Sequence, residues 1–181
     1  MGRLNDISLA AQVSLFGNNR AFNQLVRENQ SAVRRFFLSQ TLGDEMLSDD
    51  LSQDTFIKAY THISQYSGRS SFLTWLTRIA YNVWYDHCRS VKPVVRSEEG
   101  EVRAEPEYVR SEESPSLKTD LYKALDVLRP EERACVTLQL VDGYSIDEIA
   151  GIVNMPAGTV KSHLKRGKEK MANYLRKNGY D

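Results

Sequence analysis

Between Ser8 and Arg89 the chain has no proline, and its apolar residues recur at three- and four-residue intervals almost without a break. Ala21, Phe22, Leu25, Val26, Val33, Phe36 and Phe37 mark one stripe, Leu47, Leu51, Phe56, Ile57 and Tyr60 a second, and Phe72, Trp75, Leu76, Ile79, Ala80 and Val83 a third. Such spacing returns side chains to one side of an α-helix, whereas a strand would alternate them, so it predicts packed helices. Ser67-Gly68-Arg69-Ser70 interrupts it with turn-forming residues and predicts a loop holding an N-cap for the third helix.

From Val91 to Ser116 the character changes. Pro93, Pro106, Pro115 and many glutamates leave too little apolar surface to offset the entropy of ordering, which predicts an interdomain linker. Helical spacing resumes at Leu121, Leu125 and Leu128. Pro130, Glu131 and Glu132 then suit the first turn of a helix carrying Val136, Leu138 and Leu140 and ended by Gly143. With 181 residues, 41% of them hydrophobic, the chain has the material for two small domains with separate cores. The expected fold is all-α: a helical bundle over 1–90, a flexible acidic linker over 91–118 and a helix-turn-helix domain over 119–181.

The helix-turn-helix is read from Tyr144 to Leu164. Ser145 and Glu148 have the spacing of a capping box opening a short helix, with Ile146, Ile149 and Ala150 as its buried stripe and Gly151 to Met155 as the bend. Pro156 or Ala157 starts a second helix, in which Val160 and Leu164 face inward and Lys161, Ser162, Lys165 and Arg166 face out. A helix so placed fits the major groove of DNA, where lysine and arginine donate to guanine and serine donates or accepts. Thr159 and Lys168 are placed for phosphates. Lysine plus arginine (24) balances aspartate plus glutamate (24), so bulk charge does not point to nucleic acid. The distribution does, because from Lys161 onward seven basic residues face only Glu169 and Asp181.

Tyr66, Phe72, Trp75, Tyr81, Trp84 and Tyr85 are interleaved with Arg69, Arg78 and Asn82. Aromatic faces that stack bases, beside cations that follow the backbone, suit single-stranded DNA. Taken alone, Phe72, Trp75, Leu76 and Ile79 fit core better than base platforms, because their spacing is that of a buried stripe.

The blocks Asp50-Leu51-Ser52-Gln53-Asp54-Thr55-Phe56-Ile57-Lys58-Ala59-Tyr60 and Phe72-Leu73-Thr74-Trp75-Leu76-Thr77-Arg78-Ile79-Ala80-Tyr81-Asn82 resemble the second conserved region of extracytoplasmic-function sigma factors, a group of the sigma-70 family. Leu128-Arg129-Pro130-Glu131-Glu132-Arg133, the Gly143–Ala150 block and the Pro156–Ser162 block resemble the fourth region, in the expected order. The resemblance implies that Asp50, Leu51, Gln53, Asp54 and Phe56 lie on the helix that docks on core RNA polymerase. It implies that Ser67, Gly68, Arg69, Ser70, Trp75, Arg78 and Asn82 read the single-stranded −10 element, and that Thr159, Lys161, Ser162, Lys165, Arg166 and Lys168 meet the −35 duplex. An anti-sigma partner is implied as well. The glutamates of the linker are read either as a mimic of nucleic-acid charge or as ordinary solubilising residues.

No cofactor, metal or catalytic group is called for. His62, His87 and His163 lack metal-ligand spacing, Cys88 and Cys135 lack the spacing of a disulfide framework, and Asp49, Asp50 and Asp54 have no partner ligands elsewhere for a nucleic-acid hydrolase. No apolar run approaches the roughly 18 residues of a membrane span, which predicts a cytoplasmic chain without membrane insertion. The chief rival is a conventional helix-turn-helix regulator whose N-terminal helices sense a signal or dimerise. A protein-interaction module using Trp75 and Trp84 is the third.

Overall fold

The computed structural model describes residues 3–91 and 117–180, and every element among them is helical: α1 Arg3–Phe16, α2 Asn19–Gln40, α3 Glu45–Thr61, a 3-10 turn Ile63–Gln65, α4 Phe72–Ser90, α5 Leu117–Asp126, α6 Pro130–Leu140, α7 Ile146–Val153 and α8 Ala157–Lys177. The expected linker falls on residues 92–116, outside those described. None of the described helices is long and apolar enough to cross a membrane.

Short polar side chains start the helices of the first bundle. Asn18 accepts from the backbone N–H groups of Arg20 and Ala21, Asp44 from Leu47, and Ser71 from Thr74. The cap of α4 is therefore Ser71, one residue beyond the loop expected to supply it, because the last loop residue, Ser70, is held through its carbonyl by the Tyr66 hydroxyl at 2.9 Å. Helix α1 begins at Arg3, five residues before the Ser8 start of the expected helical stretch, and closes the bundle with Leu9, Ala10 and Val13. Leu25, Val33, Phe37, Leu51, Phe72 and Leu76 fill the centre.

The second domain is organised around α6, in which Glu132 through Leu138 are all buried. A helix hydrophobic or paired on every side must be covered on every side: α8 and α7 pack on one part of α6 and α2 of the first bundle on another, while α4 packs on α7. The expectation of separate cores is thus corrected. A single apolar cluster runs from Leu9 to Leu164 through both domains.

Polar groups hold this junction. The Arg133 guanidinium, 8% exposed, donates to the carbonyls of Gln40 at 2.6 Å, Leu125 at 3.0 Å and Leu128 at 3.3 Å. Gln40 and Leu125 lie in the last turns of α2 and α5, where the carbonyls have no helical partner and the helix dipole favours a cation. The Gln40 amide donates to Thr137 Oγ1 at 2.9 Å, Arg35 pairs with Asp142 at 3.1 Å, and the Thr77 and Tyr144 hydroxyls lie 3.2 Å apart. Hydrogen bonds to a charged group contribute about 1.5–3 kcal/mol each net, with losses from one shared donor overlapping. Arg133→Ala is accordingly expected to lower stability by about 3 kcal/mol, seen as a shift in the urea midpoint of the full chain.

Both cysteines are free. Burial pushes the thiols of Cys88 and Cys135 up to about 11, which keeps both protonated at neutral pH.

Candidate nucleic-acid interface

Ser145 caps α7 by accepting from the Glu148 N–H at 3.3 Å, and the Glu148 carboxylate returns to accept from the Ser145 N–H at 2.9 Å and hydroxyl at 2.8 Å, the capping box read from sequence. Those bonds hold the Glu148 carboxyl below its usual range, and they occupy it at the helix start.

Two details of the motif differ from expectation. The buried residues of α7 are Ile149, Ile152 and Val153, while Ile146 and Ala150 are only half-buried. The helix also runs through Gly151 and stops at Asn154, which takes the left-handed conformation at φ 52. Asparagine tolerates that region better than branched residues do, so it makes the bend that glycine was expected to make. Gly151 instead lies against the first bundle: a Cβ there would stand 3.6 Å from Arg78 Nη2.

On α8, Val160 and Leu164 are buried, and Thr159, Lys161, Ser162, Lys165, Arg166 and Lys168 are all exposed. The helix is thus anchored by its apolar stripe and presents its cations to solvent as one surface. Arg166 is the one of these cations that a carboxylate approaches, its Nε standing 3.7 Å from Glu132. The Ser162 hydroxyl donates to the Gly158 carbonyl at 3.0 Å, a bond that a base edge would have to replace.

The candidate single-strand site lies at the start of α4. Gly68 sits at φ +70, a backbone conformation that favours glycine, and a Cβ there would fall 2.6 Å from Ile7 Cδ1 of α1, whose side chain would have to turn aside. Asp6 of α1 also accepts from the Phe72 N–H at 3.4 Å. The sequence reading missed α1 as the support of this loop; the apolar residues preceding Ala21 were its only signal. Ser67 and Arg69 are exposed beside it.

Trp75 is half-buried, with ring centroids of Tyr66 and Phe72 at 5.6 and 5.4 Å. Arg78 and Asn82 are exposed one turn apart on α4. Of the other aromatics, Phe72, Tyr81 and Trp84 are buried at 1%, 4% and 8% exposure, so the core reading holds for them. Tyr85 is exposed, and the Arg89 guanidinium lies over its ring at 5.8 Å.

On α3, Asp50, Gln53 and Asp54 are exposed at i, i+3 and i+4 and share one face. Leu51 is part of the bundle core and Phe56 is half-buried, so these two place the helix while the polar residues present its surface. Phe56 lines a groove of about 290 Å³ between α2 and α3, with Val26, Gln30, Ser31, Arg34, Asp49 and Ser52. Arg34 is held there by Asp49 at 2.6 Å and Glu45 at 3.4 Å.

Compared with known proteins, the chain matches the family models for Sigma-70 region 2 over residues 25–93 and Sigma-70, region 4 over residues 118–171. It is 30% identical over 165 residues to the RNA polymerase sigma-H factor of Pseudomonas aeruginosa, which covers 84% of this chain and 85% of the relative. It is 30% identical over 169 residues to the ECF RNA polymerase sigma-E factor of Salmonella typhimurium, covering 87% of each. Among solved structures it is similar to the sigma factor RpoE in complex with the anti-sigma factor NepR from Bartonella quintana, with a TM-score of 0.66 and 25% identity over 86% of this chain and 96% of that one.

Proposed function

The chain belongs to the extracytoplasmic-function group of the sigma-70 family, and from that membership we propose how its residues divide the work of a sigma factor. As a sigma factor it binds core RNA polymerase, brings it to promoter DNA and promotes strand opening. In our reading, residues 1–90 dock on polymerase through Asp50, Gln53 and Asp54, with Leu51 and Phe56 fixing α3. The same domain takes the −10 strand through Ser67, Gly68, Arg69, Ser70, Trp75, Arg78 and Asn82. Residues 119–181 read the −35 duplex through Lys161, Ser162, Lys165 and Arg166, with Thr159 and Lys168 on phosphates. The linker, 91–118, lets the two sites reach promoter elements that are far apart.

The observation that carries this division is a capped helix-turn-helix with an outward cationic helix, joined in one chain to a bundle that exposes Arg78 and Asn82 beside the Tyr66–Phe72–Trp75 cluster. No bond is made or broken in this mechanism. Binding energy does the work: an extruded base costs a few kcal/mol to unstack, which stacking and a hydrogen bond from Asn82 offset.

In the packed arrangement Thr77 and Arg78 of α4 face Tyr144 and Gly151 of the second domain. Full engagement of the −10 strand therefore requires the domains to part. Parting them breaks the Arg133 bond to the Gln40 carbonyl and the Gln40 bond to Thr137, and it returns to water Gln40 Oε1, which is buried without a partner. The solved relative bound to an anti-sigma factor supports a partner of that class for this chain.

The test is a footprint of reconstituted holoenzyme on promoter DNA. Two protected blocks are expected; Lys161→Ala with Lys165→Ala should weaken the upstream block severalfold and relax its sequence preference, while Lys168→Ala should flatten its salt dependence by about one phosphate contact. Equal weakening of both blocks would refute the assignment of α8 to −35.

A further inference from the structure

We propose that Glu132 is a positioning residue for −35 reading: from α6, where α8 approaches closely at Gly167, its carboxylate pairs with the Arg166 guanidinium and orients that side chain toward the duplex. This rests on the reading of α8 as the −35 helix.

The Glu132 side chain is 3% exposed, yet both of its oxygens are engaged. Oε2 accepts from Lys170 Nζ at 2.7 Å and from the Arg129 N–H at 3.2 Å, and Oε1 lies 3.7 Å from Arg166 Nε. Burial alone would raise this carboxyl; the Lys170 hydrogen bond, the Arg129 N–H and the charges of Lys170 and Arg166 outweigh it and hold it below its usual range. It is an anion at neutral pH.

Arg166 and Lys170 are one turn apart on α8 and flank Gly167, which is buried. A Cβ on Gly167 would fall 2.7 Å from Val136 Cγ2 and 3.6 Å from Glu132 Cβ. The two helices therefore meet closely where the carboxylate sits. A buried carboxylate is costly unless paired, so turning α8 about its axis strands Glu132 and is resisted.

The carboxylate takes the Nε side of Arg166. Its terminal nitrogens, the fork that matches guanine O6 and N7, are not taken by Glu132; Nη2 has only the His163 ring at 3.5 Å beside it. The side chain remains 56% exposed. Glu132 thus stands behind the reader, orienting it before DNA arrives and lowering the entropy lost on binding.

Holoenzymes carrying the wild-type chain, Glu132→Gln, Arg166→Ala and both changes would be assayed on a promoter library randomised across −35. Arg166→Ala is expected to relax the preference at one base position. Glu132→Gln should relax the same position by roughly fivefold or more, within the range one good side-chain–base pair supplies, and should add nothing in the Arg166→Ala background. Glu132→Asp retains the buried charge but withdraws it from Arg166. It should relax the same position, and because it also draws the charge back from Lys170 and the Arg129 N–H, both variants are assayed below their own melting temperatures. An unchanged preference at that position, or an equal loss at every position in both backgrounds, would overturn the proposal. A wild-type profile with no −35 preference would instead overturn the assignment of α8, and the role of Glu132 with it.

Discussion

A chain carrying both Asp50→Lys and Asp54→Lys is expected to lose core polymerase affinity by on the order of a hundredfold while melting as the wild type does. Helix α3 is held from its other face by Leu51, Thr55 and Ala59, all buried, and Asp50 and Asp54 make none of its packing contacts. Exposed substitutions of that kind change stability by about 0.5 kcal/mol or less. At an interface the same changes are severe, because like charges brought together cost several kcal/mol and about 1.4 kcal/mol is a factor of ten. Competition with labelled wild-type chain for core polymerase measures the loss directly. Undiminished affinity would move the docking surface off this face of α3.

The second large effect is at Asn82. It is exposed on α4, one turn beyond Arg78 and clear of the buried positions Ala80, Tyr81 and Val83, so Asn82→Ala removes an amide without touching the core. If that amide bonds the extruded −10 base, its loss leaves a desolvated base edge unpaired, which costs about 1–3 kcal/mol. Open-complex formation should then fall on the order of tenfold, read by permanganate reactivity of unpaired thymines, while the upstream footprint stays at wild-type strength. A template already unpaired at −10 should recover part of the loss. A matching loss of the upstream footprint would mean that Asn82 acts on the fold or on polymerase docking instead.

Local features of both domains were legible in the sequence because their causes are local. Ser145 and Glu148 satisfy each other within one turn, Val160 and Leu164 are inward because they are four residues apart, and Pro130 opens α6. The exposed faces followed from the same spacing, which is why the six expected α8 residues share one surface. Long-range causes were not legible. Glu132 reads as an ordinary first-turn charge, since an acid there has a sufficient local reason in the helix dipole, and nothing local marks Arg133 as buried. Their burial depends on Lys170 and on the Gln40 carbonyl, 38 and 93 residues away. The merging of the two cores has the same origin, because the small residues Ala134 and Cys135 gave no sign that α6 is covered by α2 as well as α8. At the bend of the motif the glycine was the stronger signal for a turn, yet Gly151 serves the contact with Arg78 and Asn154 turns the chain.

The division of labour between the domains is tested most directly by transcription from a promoter library with purified core polymerase, with and without this chain. The account predicts chain-dependent initiation and two selected sequence blocks, the upstream one altered by Arg166→Ala and the downstream one by Asn82→Ala. Tight binding of promoter duplex by the chain alone, with no transcription gained on adding polymerase, would contradict it.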